Sequence, residues 1–214
     1  MSHDTDQGRQ STRLISDTAR KVVGFVFSVV LLAACSFPGS VKPTVKVGLS
    51  APFEGLYRDL GYEVLHAVRL AVRQRNETGG IGERYLVEFV ALNDFGEADA
   101  AIEQARKMAV DPGVLGVLGG LSPEAAQAAA PEYARLELAF LMPEISFIES
   151  EPSPSFETDF SSGYEELSGG VSPGPAAVWA YSEANRLLDA LDAASQAEGM
   201  PTRLGVCEAL GTNH

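Results

Sequence analysis

Cysteine is nearly absent: Cys35 and Cys207 are the two in 214 residues. That excludes a framework of several disulfides. Histidine is as scarce, and His3, His66 and His214 stand too far apart to form a clustered set of metal ligands. Cys207 has no histidine near it, so its thiol reads as buried or inert instead of nucleophilic. His66 falls within a helical pattern and reads as a surface residue. Positive charge is short, with 16 Lys and Arg against 29 Asp and Glu and a net charge of −13. So acidic a chain repels nucleic acid and anionic lipid head groups. No apolar run reaches the roughly 20 residues that span a bilayer. Gly79-Gly80-Ile81-Gly82 closes a helix instead of opening one after a strand, so it is no phosphate loop. Gly120-Leu121-Ser122-Pro123-Glu124 lacks the second glycine of a nucleophile elbow. No internal repeat is visible. With no acid–base or nucleophile pair placed by the sequence, no catalytic residue, metal or cofactor is expected, and the chain reads as a non-enzyme.

What is present begins with a short apolar run over residues 22–34, preceded by Arg13, Arg20 and Lys21. A basic flank, an apolar core and small residues before a cleavage point describe a secretory signal. Leu31-Leu32-Ala33-Ala34-Cys35 resembles the lipobox of bacterial lipoproteins. The resemblance implies that Cys35 is acylated, begins the mature chain and ties it to a membrane outside the cytoplasm. An acylated Cys35 leaves Cys207 without an intrachain disulfide partner, so packing alone holds the fold. Residues 1–34 are therefore read as a signal peptide and residues 35–43, rich in Ser, Pro and Gly, as a tether. The remainder has the length of one domain and can bury a sizeable core.

From residue 44 the pattern alternates between strand and helix. Short β-branched or apolar runs cover 44–49, 85–92, 114–118 and 138–142. Between them, apolar residues recur at spacings of three and four over 61–78, 97–110 and 122–136. Asn76 with Gly79-Gly80 stops the first helix, and Asp111-Pro112-Gly113 stops the second. Ser122-Pro123-Glu124 opens the third with a hydroxyl cap, a proline in the first turn and an acid against the dipole. Pro131 is expected to kink it. Four strands separated by helices predict an α/β fold, an open parallel sheet with helices on both faces. Order weakens over 148–175, an acidic stretch rich in Ser and Pro that Phe156, Phe160 and Tyr164 anchor at most. A last clear helix spans 176–197, with Trp179 and Tyr181 read as core or interface residues, and 203–210 is expected to be a fifth strand.

Several of these residues carry a family resemblance. Val47-Gly48-Leu49 with Pro52 and Gly55, Ala67 to Val72, Asn76-Glu77-Thr78-Gly79-Gly80-Ile81, Asn93-Asp94, Gly119 and Tyr133-Ala134 resemble the type I periplasmic binding proteins. Within them, the likeness is to the branched-chain amino-acid (Leu/Ile/Val) receptor group of ABC transporters. Order and spacing agree over residues 46–146, and the Asn-x-x-Gly-Gly-Ile turn is the most specific element. The family has two lobes with the ligand between them. Here residues 148–175 occupy the place of a second lobe, which implies a chain reduced to one lobe spanning 44–214, and half a cleft cannot engulf a ligand.

The resemblance also implies ligand contacts from the loops after the strands. Aligned without gaps, these hold Ser50, Glu54, Tyr57, Ser122, Glu124, Glu144 and Ser146, with Asp94 after the second strand. Glu54, Asp94, Glu124 and Glu144 put an acid at each strand's carboxyl end, the edge where open α/β sheets bind ligands. Such a rim opposes a carboxylate and favours a cation or a basic partner. Two functions follow as expectations. One is an extracytoplasmic, membrane-anchored solute-binding protein that takes a small polar solute and serves an ABC permease. The other is a degenerate single-lobe scaffold that binds another protein across the bare cleft face.

Overall fold

The structure is a computed structural model that describes residues 42–143 and 158–211. The signal segment, Cys35, most of the tether, Glu144 and Ser146 lie outside the described residues. The alternation predicted from hydrophobic period is present: β1 Thr44–Ala51, α1 Arg58–Glu77, β2 Leu86–Asn93, α2 Ala98–Val110, β3 Val114–Gly119, α3 Pro123–Arg135 and β4 Ala139–Leu141. Three helices follow, α4 Thr158–Ser168, α5 Pro175–Glu198 and α6 Arg203–Leu210.

The four strands pair in parallel in the order β2-β1-β3-β4. The chain steps outward from β1 to β2 and then crosses back to β3 on the other side of β1. The direction of winding thus reverses between β1 and β3. Their carboxyl ends are the topological switch point, where sheets of this kind leave a crevice.

Both faces of the sheet are covered. Val47 and Leu49 pack with Val64, Val68, Leu187 and Leu191 of α1 and α5 on one face. Val114 and Val117 pack with Ala105, Met108 and Ala129 of α2 and α3 on the other. Every residue of β3 is buried, as a strand covered on two faces requires. Two glycines let the helices close on the sheet. A Cβ at Gly48 would lie 2.9 Å from Met108 Sδ, and one at Gly116 would lie 2.5 Å from Leu187 Cδ1.

The sequence expectation fails at three places. Residues 203–210 form a helix, not a fifth strand. Thr202 caps it by accepting from Gly205 N at 3.1 Å, and Gly211 ends it in the left-handed region. Its opening is tied to the sheet by Arg203, which donates to the carbonyls of Val114, Ala109 and Asp111 at 2.9, 3.1 and 2.8 Å. Within 148–175, α4 is regular structure. Phe160, Tyr164 and Leu167 form a stripe at helical spacing against the core, and Tyr164 Oη donates to Glu63 O at 3.3 Å. His66 is half-buried instead of superficial. It sits between the rings of Tyr62 and Tyr164, and burial, then the charge of Arg69, push its imidazole pKa down. Trp179 and Cys207 are buried in the core, as expected.

Candidate functional site

The carboxyl edge of the sheet is assembled from short polar side chains that bond the loops to one another. Ala51, the last residue of β1, is in register with Asn93, the last of β2. Asn93 Oδ1 accepts from Phe53 N at 2.9 Å and from Phe95 N at 3.0 Å, which pins the loops after both strands. Asp94 turns inward. Its Oδ2 accepts from Ser50 Oγ at 2.9 Å and its Oδ1 accepts from Gly96 N at 2.9 Å. Ser122 Oγ donates to Gly96 O at 2.7 Å and accepts from Ala125 N at 3.1 Å, so one hydroxyl both caps α3 and holds the turn after β2. Ser50, Asp94 and Ser122 are each at most 2 % exposed.

The electrostatics of this network follow from its burial. Desolvation pushes the Asp94 carboxyl above the usual range, while the hydrogen bonds from Gly96 and Ser50 hold it down in part. Tyr133, fully buried and stacked on Phe140 with ring centroids 4.3 Å apart, faces the same network from α3. Burial first, then the Asp94 charge, push its phenol well above its ordinary value. Its hydroxyl comes near Ser50 but has no hydrogen-bond partner. Asn93 and Tyr133 were not among the expected site residues. Both stand in the stretches that carry the family resemblance, which is the signal that pointed to them.

The network positions what faces outward. The ring of Tyr57 lies over Gly96, where an added Cβ would come within 3.0 Å of Tyr57 Cδ2 and 3.6 Å of Ser122 Cβ. Ser50, Tyr57, Asp94 and Ser122 are thus brought together. Glu54 on the loop after β1 and Glu124 in the first turn of α3 stand exposed. Leu56, Phe95 and Met142, on the loops after β1, β2 and β4, are 89 %, 44 % and 47 % exposed. Phe95 holds a φ of 56°, a left-handed conformation uncommon for an aromatic residue, within the turn that Asn93 and Asp94 fasten. The expected rim of four acids is therefore thinner. Asp94 is spent inside the framework, Glu54 and Glu124 remain at the edge, and Glu144 is outside the described residues. In the same way the hydroxyls of Ser50 and Ser122 point into the framework, leaving Tyr57, the two glutamates and the apolar residues as the outward surface.

Residues 44–164 match the periplasmic binding protein family, and the chain belongs to it. No curated protein matches. Among solved structures, one assigned to a branched-chain amino acid ABC transporter of Rhodospirillum rubrum superimposes with a TM-score of 0.65 at 16 % identity, covering 78 % of this chain and 88 % of that one. LivJ of Streptococcus pneumoniae, a branched-chain amino acid transporter substrate-binding protein solved with isoleucine, gives a TM-score of 0.62 at 10 % identity, covering 78 % and 87 %. At these identities the likeness is one of fold: an α/β lobe with an open parallel sheet.

Proposed function

We propose that this chain is an extracytoplasmic, lipid-anchored solute-binding protein that holds a small polar solute at the carboxyl edge of its sheet and presents it to an ABC permease. The observation that carries this reading is the network Ser50–Asp94–Gly96–Ser122 at the β1/β3 switch point. It spends three buried polar side chains on holding loops in place, an arrangement suited to a preformed binding edge. Ser50, Asp94 and Ser122 serve as the frame. Tyr57, Glu54 and Glu124 face the solute. The role is binding without catalysis.

Among the described residues neither Glu54 nor Glu124 is in an ion pair, and Arg58, in the first turn of α1, lies 3.9 Å from Asp59. A carboxylate about 4 Å from one of these glutamates is opposed by about 1 kcal/mol in water and by more when water is excluded. Free leucine, isoleucine and valine should bind weakly, and polyamines or divalent cations better. The test is a calorimetric and thermal-shift screen of the full chain against those three classes, repeated with Glu54→Gln combined with Glu124→Gln. Binding of cations that the double substitution weakens about tenfold supports the reading. Tight, saturable binding of leucine would refute the acidic edge and restore a plain amino-acid receptor.

A second reading is favoured by Leu56, Phe95 and Met142, which expose apolar surface along the same edge. Exposed apolar surface of this kind marks contact with another protein. Here the lobe is a scaffold whose cleft face binds a protein, and the absence of any small-molecule binding in the screen selects it.

A further inference from the structure

A cavity of about 490 Å³ opens between α1, α4 and the link from α4 to α5. Ser50, Tyr57, Asp94, Ser122, Glu54 and Glu124 all lie outside it. Its size suits a small ligand, which takes roughly 300–1,000 Å³. Three rings line it. That of His66 lies 6.5 Å from the ring of Tyr62 and 6.1 Å, edge-on, from the ring of Tyr164. His66 Nδ1 is buried without a hydrogen-bond partner. Burial, then the charge of Arg69, keep the imidazole neutral at neutral pH, so it adds an uncharged aromatic surface to the two tyrosines.

The mouth carries one charge of each sign. Arg58 Nη1 lies 3.9 Å from Asp59 Oδ1, and the two side chains are 60 % and 103 % exposed. The Arg58 guanidinium carbon stands 5.1 Å from the centre of the Tyr62 ring. A pair so long and so exposed is worth little, which leaves both groups open to a ligand. Glu63 is committed elsewhere, since its Oε1 accepts from Ala177 N at 3.0 Å and holds the opening of α5. The remaining rim is built in place. Ser168 Oγ donates to Val171 O at 2.7 Å and accepts from Val171 N at 3.1 Å, and Gly170 N donates to Glu165 O at 2.8 Å. This fastened turn leaves the apolar side chain of Val171 exposed at the cavity's edge.

We propose that this cavity is a second ligand site, distinct from the crevice, for a zwitterion that carries an aromatic ring. The ligand ring packs among Tyr62, His66 and Tyr164, where offset or edge-on contacts are favourable. Its carboxylate meets Arg58 and its ammonium meets Asp59. An α-amino acid holds both charges on one carbon, so it answers two opposite charges that lie side by side. A purely cationic or purely anionic ligand sets one of the two against its like. The site needs no solute in the crevice and stands apart from that reading.

The test is an amide-shift titration of the isotope-labelled full chain with L-phenylalanine, and separately with L-leucine, phenethylamine and 3-phenylpropionate. Saturable shifts centred on Tyr62, His66, Tyr164 and Val171 are expected. Loss of one exposed charge contact should weaken the two single-charge analogues about threefold. Loss of the ring should weaken leucine about fivefold. Ser172→Trp, which fills the cavity from its exposed rim, should abolish the shifts. Arg58→Gln, at an exposed position, should keep the fold and erase the advantage of L-phenylalanine over phenethylamine. No saturable shift by about 20 mM, or shifts centred on Leu56 and Phe95 instead, overturns the site. Equal affinity for leucine or for either single-charge analogue overturns the ligand class, as does an Arg58→Gln chain that still prefers L-phenylalanine.

Discussion

Asn76 shows how much a single residue does beyond its sequence signal. It marks the end of α1, yet its side chain acts as a piece of strand. Nδ2 donates to Val87 O and Oδ1 accepts from Val87 N, both at 2.8 Å, on the open side of edge strand β2. Asn76→Ala strips two backbone groups of their partners, which should cost about 2 kcal/mol. For a chain of this size that lowers Tm by about 4–8 °C, read by circular dichroism, and an unchanged Tm would show that water replaces the side chain at no cost. Asp94 has a pH signature. Its folded pKa lies above its unfolded one, so between the two values the folded state holds a proton that the unfolded state has lost. Stability from this group is present at lower pH and falls as pH rises through the raised value. Asp94→Asn should flatten that decline in urea unfolding measured at a series of pH values. The same slope in both proteins would mean that Asp94 does not titrate across the transition.

At the scale of elements, α3 is the part best read in advance. Ser122, Pro123 and Glu124 announce its start, and each stands where a cap, a first-turn proline and a first-turn acid should. The helix runs through Pro131 to Arg135 without interruption. What local pattern does not disclose is its fastening to α2. Glu132 takes Arg135 at 2.6 Å and Arg106 of α2 at 2.9 Å, and these two guanidinium groups, Arg135 foremost, pull its carboxyl down to about 2. A depressed carboxylate contributes stability that is present above its unfolded pKa and lost as pH falls through the folded one. Acid unfolding followed from pH 5 to pH 2 should therefore be shallower in Glu132→Gln than in the parent. Matching curves would reduce the clamp to a surface contact without thermodynamic weight. Elements α4 and α6 show the opposite case. The Ser- and Glu-rich sequence of α4 is helical because Phe160 and Tyr164 find buried places against the core. The Val and Leu of 203–210 suggest a strand until Thr202, Gly211 and the reach of Arg203 decide for a helix.

At the scale of the molecule, the proposed lipid anchor at Cys35 is open to direct test. Cys35→Ala should release the protein from the membrane fraction or leave its signal segment uncleaved, as seen by fractionation at high salt and by intact mass. Full membrane retention with normal processing would remove lipidation. Local chemistry alone determined the alternation of strands and helices through β4, the capped start of α3, the acidic character and the family likeness. Hydrophobic period, helix stops and glycine turns are properties of neighbours in the chain, so they are legible before folding. The candidate site was legible only as an inventory of residues. Ser50, Asp94 and Ser122 were found at strand ends, but only tertiary structure decided that Ser50 bonds Asp94, that Asp94 and Ser122 both hold Gly96, and that Tyr57, Glu54 and Glu124 are left to face outward. The physical reason is desolvation: once helices on both faces exclude water, a buried hydroxyl or carboxylate must find its partner inside the protein, and that partner comes from a strand or loop far away in sequence.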